Sequence, residues 1–367
     1  MSLPEPPSPA AWETSVNRYD WLKALRGVPQ NPEYHGEGDA LVHTQLVVEA
    51  LLASAAWRAL PQLEQRILHW AALLHDVAKP QCTRRTAEGV SSPGHSRRGE
   101  ILARRILWEL GAPFAEREHV AQLVRAHQLP FWALERERPE RLCIELSQVL
   151  RCDLLAHLAE ADVRGREARD RSQLLDHVEL FRELCRDQGC YGGPFLFPSD
   201  HSRFVYFQGS GNDPHREVFD DTTFEVVLMS GLPAAGKDTW LRTNAAALPL
   251  VSLDALRSEL GVDPANSQGE VVSAAKAAAR NLLRERAPFA WNATNLSAKL
   301  RTPLVELFAS YGARVRIVYC EAPREELRRR NRARPFPVPE EAIARMLTRW
   351  EVPTRLECHE LDVVLSG

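Results

Sequence analysis

Apolar residues recur at steps of three and four through most of the first half of the chain. One such run contains Leu63, Ile67, Trp70, Ala71 and Leu74. This spacing places the apolar side chains on one face of a helix. Proline and glycine separate successive runs, as at Pro80, Gly111 and Pro130. The pattern therefore predicts helices from about Asp39 to Arg186, with no evident strand among them.

The second half follows a different pattern, in which short apolar runs alternate with helical segments. The predicted strands are Phe224–Met229, Leu250–Leu253, Phe289–Trp291 and Val315–Cys320. The alanine-rich segment from Gly269 to Arg286 is typical of a helix. Strands separated by helices predict βαβ units and hence a parallel sheet.

Between the two halves lies a segment rich in Gly, Pro, Ser and Asp that contains two short aromatic groups, Phe195–Phe197 and Phe204–Phe207. It is interpreted as a linker or small insert with a hairpin. The predicted organisation is an all-α domain over residues 1–186, this segment over 187–222, and an α/β domain over 223–367. A length of 367 residues is about that of two domains of common size.

Composition indicates a folded protein, with 44% hydrophobic and 26% charged residues and a net charge of −3. That charge excludes a basic surface covering the whole protein, although five arginines fall within residues 328–334. No stretch of eighteen apolar residues and no signal peptide are evident, so we expect no membrane span. The seven cysteines are scattered along the chain, which argues against a disulfide framework and predicts a cytoplasmic protein.

A phosphate-binding loop is indicated where the first strand of the second half ends. Residues 231–237 have the pattern G-x-x-x-x-G-K, with Gly231, Gly236 and Lys237 at its fixed positions. Backbone N–H groups of such a loop surround phosphate oxygens, and its lysine contacts the outer phosphates. Asp238 stands where serine or threonine is usual, so we expect Thr239 to contact Mg²⁺. The predicted cofactor is ATP or another nucleoside triphosphate with Mg²⁺.

Two further groups in this half suggest phosphoryl transfer. Asp254 follows a predicted strand and is a candidate general base for an acceptor hydroxyl, with Arg257 one helical turn later as a phosphate clamp. The alternative is a helix-capping aspartate beside a surface arginine. Arg330 and Arg334 belong to an arginine-rich segment that is either a mobile lid over the transferred phosphoryl group or a solvated helix face.

Histidine and aspartate residues in the first half are candidate metal ligands. His75 and Asp76 end an apolar run, and the others are spread over different predicted helices: His43, His95, His127 and Asp162. Imidazole and carboxylate together favour Mn, Zn, Co, Ni or Fe over calcium. Side chains from separate helices can converge in the core of a bundle. Because adjacent residues point about 100° apart on a helix, His75 and Asp76 can share one ion only near a helix end.

The segment 224–362 resembles the 5′-hydroxyl polynucleotide kinase branch of the P-loop kinases. The resemblance rests on the G-x-x-x-x-G-K loop, on D-x-x-R at Asp254 and Arg257, and on R-N-x-x-R at Arg330 and Arg334. It implies that Asp254 is the general base and that Arg257 binds a 3′-phosphate of the acceptor. It also implies that Arg330 and Arg334 stabilise the transferred group.

Residues 39–166 resemble the HD phosphohydrolase superfamily through several short motifs: His43–Thr44, Leu73–Pro80, Gly94–His95, Val124–His127 and Ala161–Gly165. The resemblance implies one ion on His43, His75, Asp76 and Asp162. His95 and His127 are then either ligands of a second ion or hydrogen-bond donors to substrate. Lys79 and Arg166 are expected to neutralise phosphate. The segment 34–39 is similar to the HD part of tRNA nucleotidyltransferases, so His35 is a ligand or a substrate contact.

The order of the two domains is that of the bacterial HD-domain polynucleotide kinases, which the sequence resembles over nearly its whole length. This resemblance implies a bifunctional enzyme acting on RNA or DNA ends. The HD domain would remove 2′-phosphate or 2′,3′-cyclic phosphate, the kinase would phosphorylate 5′-OH ends, and a ligase partner could then seal them. Two alternatives remain: a nucleotide or metabolite phosphohydrolase fused to a small-molecule kinase, and a nucleotide-sensing module without activity.

Overall fold

The computed structural model describes residues 2–87, 89–209, 213–263 and 268–366. It divides into two compact units, residues 1–195 and 196–367. The first unit is predominantly helical and the second is α/β, as the hydrophobic pattern predicts. No helix among the described residues has the length and apolar character needed to span a membrane.

The described part of the first unit contains the helices α1 (Trp12–Arg18), α2 (Asp20–Lys23), α3 (Ala40–Ala53), α4 (Ala55–Arg58), α5 (Gln62–Leu74), α6 (Lys79–Cys82), α7 (His95–Glu109), α8 (Phe114–Ala126), α9 (Leu129–Trp132), α10 (Pro139–Ser147), α11 (Cys152–Arg164) and α12 (Arg171–Asp187). It also contains two short 3₁₀ helices, Pro9–Ala11 and Ala133–Glu135.

A small antiparallel pair of strands, β1 (Arg84–Thr86) and β2 (Gly89–Ser91), interrupts the helices of this unit. The sequence pattern did not predict it. The reason is that β1 consists of exposed polar residues and β2 has only partial burial, so neither strand shows apolar alternation.

The helices α3, α5, α8 and α11 pack against one another and form the centre of the first unit. Helix α3 begins at the cap Asp39, whose carboxylate accepts hydrogen bonds from the N–H groups of Leu41 and Val42. Helix α5 ends at Leu74, so His75 and Asp76 lie in the turn that follows. That turn removes the angular conflict that a continuous helix would impose on the pair.

The described part of the second unit contains α13 (Asp200–Gln208), β3 (Phe224–Ser230), α14 (Lys237–Asn244), β4 (Leu250–Ser252), α15 (Leu253–Glu259), α16 (Gly269–Arg284), β5 (Phe289–Asn292), α17 (Ala298–Ala309), β6 (Ala313–Glu321), α18 (Arg324–Arg332), α19 (Glu340–Leu347) and β7 (Glu360–Leu365). Within the predicted insert the structure has helix α13, and the expected hairpin is wrong. Ser199 caps this helix, and Phe204 packs into the core of the second unit.

The strands of the second unit form a five-stranded parallel sheet in the order β4-β5-β3-β6-β7. Successive residues of β3 enter different cores, with Val226 and Leu228 on one face and Val227 and Met229 on the other. Each face is covered by helices. The carboxyl ends of β3, β4 and β5 therefore meet at one edge, where open parallel sheets bind ligands.

Candidate functional sites

In the first unit, all six predicted metal ligands converge at one buried centre. His43 lies on α3, His75 and Asp76 follow α5, His95 begins α7, His127 follows α8, and Asp162 lies on α11. Each of these side chains is at most 9% exposed. The packing of five helices thus brings together residues that are far apart along the chain.

Three of the histidines are held in the same way. The Nδ1 atoms of His75, His95 and His127 lie 2.7 Å, 2.7 Å and 2.8 Å from the main-chain carbonyl oxygen three residues earlier. A carbonyl oxygen only accepts, so each Nδ1 carries the proton and donates. In the neutral ring each Nε2 then presents a lone pair toward the centre of the site, as metal-binding histidines do.

The fourth histidine, His43, is held by a carboxylate. Its Nδ1 lies 2.8 Å from Glu37 Oε1, and the same oxygen lies 2.8 Å from His35 Nδ1. Burial raises the pKa of Glu37, but the hydrogen bond from His35 and the contact with His43 together with backbone N–H groups lower it by more, so Glu37 is ionised. Glu167 N–H also donates to Glu37, at 3.0 Å.

Asp76 lies between two groups of histidines. Its Oδ2 is 3.1 Å from His75 Nε2 and 3.8 Å from His43 Nε2, and its Oδ1 is 3.5 Å from His95 Nε2. His95 Nε2 and His127 Nε2 are 3.4 Å apart. The candidate ligand atoms form two groups that share Asp76, one with His43 and His75 and one with His95 and His127.

These contacts fit bound cations. The contact of His75 Nε2 with Asp76 lacks hydrogen-bond geometry, and Asp76 Oδ1 makes no hydrogen bond among the described residues. Lone pairs on His95 and His127 face each other, which is repulsive unless a proton or a metal lies between them. Burial lowers the pKa of His127 to about 3, with the charges of His95 and His75 as further causes, so a proton is disfavoured there.

Lys79 and Arg166, predicted to neutralise phosphate, are paired with the two candidate carboxylate ligands. Lys79 Nζ is 2.7 Å from Asp76 Oδ2 and also donates to Gln30. Arg166 forms two hydrogen bonds with Asp162, of 2.9 Å and 2.7 Å. Burial raises the pKa of each carboxyl. Lys79 with His75 and His95 lowers the pKa of Asp76, and Arg166 with His43 and His75 lowers that of Asp162, and together these groups outweigh burial, so both carboxylates are ionised.

In the second unit, the phosphate-binding loop lies between β3 and α14. Gly231 has φ +141° and Gly236 has φ +106°, values that favour glycine. Lys237 Nζ donates to the carbonyl oxygens of Gly231 and Leu232 at 3.0 Å and 2.9 Å. Burial lowers the pKa of Lys237 to about 8.

One cavity of about 1710 Å³ connects this loop with the other predicted kinase residues. Its lining includes all of them except Gly231: Gly236, Lys237, Asp238, Thr239, Asp254, Arg257, Arg330 and Arg334. Phe336 also lines it and is 89% exposed, a residue that the sequence reasoning missed. Phe336 is exposed because of the path that the loop after α18 follows, and no local sequence pattern indicates that path.

The candidate base and its arginine are neighbours in the cavity. Arg257 Nη1 donates to Asp254, and Arg257 Nε donates to Gln268 Oε1 at 2.7 Å. The side chain of Asp254 is 75% exposed. Helix α15 is capped by Ser252, whose hydroxyl accepts from Ala255 N–H, so the alternative of Asp254 as the cap is wrong.

The arginine-rich segment contains α18 and the loop that follows it. Arg330 contacts Glu326 at 2.5 Å and Ser366 Oγ at 2.8 Å. Asn331 is buried and fixes the loop, because its side chain exchanges two hydrogen bonds with the backbone of Val338, of 2.8 Å and 3.0 Å. Asp238, at the other side of the cavity, accepts from Asn292 at 2.7 Å.

Known families match both units. Residues 43–158 match the HD domain family, and residues 226–353 match the AAA domain family. The chain therefore contains an HD domain followed by a P-loop kinase-like domain. The first of these domains is hydrolase-like and the second is kinase-like. The HD domain implies metal binding, and the P-loop kinase-like domain implies a nucleotide with Mg²⁺.

The curated relatives include two multifunctional CCA proteins. That of Halorhodospira halophila is 38% identical over 175 residues, which covers 45% of this chain and 39% of the relative. That of Cupriavidus metallidurans is 32% identical over 152 residues, with 40% and 34% covered. The chain thus spans less than two fifths of the length of these relatives.

Among solved structures, that of a proposed kinase from Chloroflexus aurantiacus aligns with a TM-score of 0.34 and 19% identity. The alignment covers 39% of this chain and 89% of the other chain. A similarity at this level carries no functional weight. None of these relatives bears on the ligase partner, which stays a prediction.

Proposed function

We propose that this chain heals broken nucleic-acid ends. The kinase-like domain would transfer the γ-phosphoryl group of a nucleoside triphosphate to a 5′-OH polynucleotide end. The HD domain would hydrolyse 2′-phosphate or 2′,3′-cyclic phosphate ends. The observation that carries the proposal is the cavity that joins the phosphate-binding loop, the Asp254–Arg257 pair and the arginine-rich segment.

The charge of this cavity favours a polyanionic acceptor. Among the described residues, its lining has eight cationic side chains against four acidic ones. A triphosphate alone needs fewer cations, whereas a polynucleotide adds phosphates along its backbone. A volume of about 1710 Å³ also exceeds that of an ordinary small-molecule site. Exposed Phe336 would offer a surface for base stacking.

In the proposed transfer, Asp254 accepts the proton of the 5′-hydroxyl as its oxygen attacks the γ-phosphorus. The bond from that phosphorus to the β,γ-bridging oxygen breaks, and the nucleoside diphosphate leaves. Lys237 binds the outer phosphates and Thr239 holds Mg²⁺. Arg330 and Arg334 stabilise charge on the transferred group. The exposure of Asp254 supports its role, because an acceptor end can reach its carboxylate.

Arg257 would bind the 3′-phosphate of the first acceptor nucleotide. Its position supports this assignment, since its guanidinium contacts Asp254 and so lies next to the proposed base. An arginine can bind a phosphate through two N–H groups.

In the HD domain we propose two transition-metal ions. His43, His75, Asp76 and Asp162 would hold one, and His95 and His127 the other, with Asp76 shared. Bound ions would polarise the phosphate and lower the pKa of a water. The shared position of Asp76 between the two histidine groups supports two ions over one.

Four further side chains of the HD domain would hold the ligands or contact the substrate. Arg166 would hold Asp162 through its paired hydrogen bonds. Glu37 would orient His43 and make it a stronger ligand. His35, whose ring centroid is 4.7 Å from that of His43, would contact substrate at the rim. Lys79 would neutralise phosphate from beside Asp76.

The test of the kinase uses γ-labelled ATP with three acceptors: a 5′-OH RNA oligonucleotide, the matching DNA, and a 5′-OH nucleoside. We expect label on an oligonucleotide but little on the nucleoside, because only the oligonucleotide offers a 3′-phosphate to Arg257. Arg257→Ala should raise the KM for the oligonucleotide about tenfold or more, the loss of one charged hydrogen bond. The matched control is Arg284→Ala, on α16 outside the cavity lining.

Equal labelling of nucleoside and oligonucleotide would favour the alternative, a small-molecule kinase fused to a nucleotide or metabolite phosphohydrolase. An absence of transfer to every acceptor, in protein that binds ATP, would favour the nucleotide-sensing module.

A further inference from the structure

Four cysteines converge in the first unit, away from the six candidate ligands of the HD site. They come from separate segments: Cys143 from α10, Cys152 from the start of α11, Cys185 from α12, and Cys190 from the loop after α12. All four are fully buried. The Sγ atoms of Cys152, Cys185 and Cys190 all lie within 4.8 Å of one another.

The fourth cysteine adjoins this group. The thiol of Cys143 contacts that of Cys185, and Cys152 Sγ lies 3.9 Å from the Cys143 carbonyl oxygen. A tetrahedral zinc ion with four sulfur ligands at about 2.3 Å places neighbouring sulfurs about 3.8 Å apart. The separations among Cys152, Cys185 and Cys190 are therefore compatible with a common ion. Cys143 would join them through its contact with Cys185.

The thiols are enclosed together and have no exposed face. Cysteine sulfurs grouped in this way are strong ligands for a soft metal ion.

We propose that Cys143, Cys152, Cys185 and Cys190 bind one zinc ion in a structural site. Thiolate ligands favour zinc, and a closed set of four cysteines with no exposed position is the arrangement of structural zinc. On binding, the thiols lose their protons to solvent and four Zn–S bonds form, with no change of oxidation state.

The ion would fasten the end of the HD domain to its helices. The loop 189–195 contains no regular secondary structure, yet it is tied to the domain at several points. Asp153 N–H donates to the Tyr191 carbonyl at 2.9 Å, and Phe195 N–H donates to Ser147 Oγ at 3.0 Å. A zinc ion bound by Cys190 would link this loop to α10, α11 and α12 through Zn–S bonds, just before the boundary between the units.

The first test measures metal content in the purified full-length protein by elemental mass spectrometry. We expect Cys185→Ser to contain one zinc ion fewer per chain than wild type. The control is Cys82→Ser, which changes a buried cysteine of the same unit outside the cluster and should leave the zinc content unchanged. Ions in the HD site are common to all three proteins, so the difference isolates the cysteine site.

The second test needs no variant and so does not depend on whether Cys185→Ser folds. Zinc-edge X-ray absorption of wild type should show sulfur neighbours at about 2.3 Å. Cobalt-substituted protein should show intense thiolate-to-cobalt charge-transfer absorption, which histidine and carboxylate ligands do not give. Equal zinc content in wild type and folded Cys185→Ser would overturn the proposal. So would an absorption spectrum with only nitrogen and oxygen neighbours around zinc. A disulfide within the cluster, or iron with inorganic sulfide in the protein, would also overturn it.

Discussion

At the scale of single residues, hydrogen bonds at Nδ1 decide what the HD site can bind. His75, His95 and His127 each donate Nδ1–H to the carbonyl three residues earlier, at the end or start of a helix. The carbonyls of Ala72 and Val124 belong to the last turns of α5 and α8, where helix ends leave carbonyls without intrahelical partners. At His75 and His127 the same hydrogen bond therefore satisfies the backbone and directs Nε2 to the centre of the site, and at His95 the carbonyl of Ser92, just before α7, has that role.

Metal counting tests the proposed pair of ions. Wild type should contain two ions in the HD site, and His127→Ala should contain one fewer, because His95 alone cannot hold the second with Asp76. Release of 2′-phosphate should fall by at least tenfold to a hundredfold. Elemental analysis measures the metal content, and the control is His215→Ala, which changes an exposed histidine of the other unit. The same metal content in wild type and His127→Ala would reject the pair and keep a mononuclear site.

A second prediction concerns His359 and the loss of folding stability at acidic pH. His359 is buried, its Nδ1 accepts from Val315 N–H at 3.0 Å, and its Nε2 lies 3.2 Å from His201 Nδ1. A proton on Nδ1 would break the first bond. Burial, followed by the charge of His201, accordingly lowers the pKa of His359 to about 3. In the unfolded chain its pKa is about 6.5.

Because the folded pKa of His359 lies below the unfolded value, the unfolded chain takes up the proton as the pH falls below about 6.5. The free energy of unfolding should therefore drop by about 1 kcal/mol between pH of about 7 and about 5.5 from this residue alone. In His359→Gln that contribution should vanish, which urea denaturation at the two pH values measures. Identical pH dependence in wild type and variant would contradict the assignment.

At the scale of elements, the strand-to-helix turn after β3 depends on one close approach. A Cβ at Gly231 would lie 2.3 Å from the carbonyl oxygen of Cys320 on β6, the neighbouring strand. At Gly236 a Cβ would meet nothing nearer than Arg330 Nη1, at 3.7 Å. Both residues have positive φ, but only Gly231 is also confined by the backbone of the sheet.

This contrast predicts different stability losses in a matched pair of variants. Gly236→Ala should cost about 1–3 kcal/mol from backbone strain. Gly231→Ala should cost more, because the strand itself must move, and should also remove ATP binding. Urea unfolding and binding of a fluorescent nucleotide would measure both effects. A smaller loss in Gly231→Ala than in Gly236→Ala would show that the turn is more adaptable than this geometry implies.

At the scale of the whole molecule, the two candidate sites share no residue and lie in separate compact units. Their chemistries also differ, since one depends on histidine and carboxylate ligands and the other on a phosphate-binding loop. Each activity should therefore be removable without loss of the other.

Two reciprocal variants test that independence. Asp254→Ala or Lys237→Ala should lower 5′ phosphorylation by about a hundredfold or more, the size typical of a lost acid–base group, and leave 2′-phosphate release unchanged. Asp76→Asn should do the reverse. Thermal unfolding of each variant confirms folding. Loss of both activities in one folded variant would contradict the model of two separate sites.

Much of this organisation could be predicted from the sequence, because its signals are local. The periodicity of three and four gave the helices, and the apolar runs of the second half correspond to β3–β6, although β7 was not anticipated. The phosphate-binding loop has its fixed positions within seven residues. Six histidines and aspartates could be named as metal ligands from short motifs, and the fold brings all six together.

The sequence by itself thus determined the two fold classes, the loop and the candidate ligands, since backbone periodicity and turn chemistry act between near neighbours. Only the tertiary structure decided which distant groups meet. It paired Lys79 with Asp76, gave Glu37 its place behind His43, and put Phe336 at the cavity. It also gathered cysteines that are scattered along the chain. Such contacts depend on how helices and strands pack, and packing joins residues that no local pattern relates.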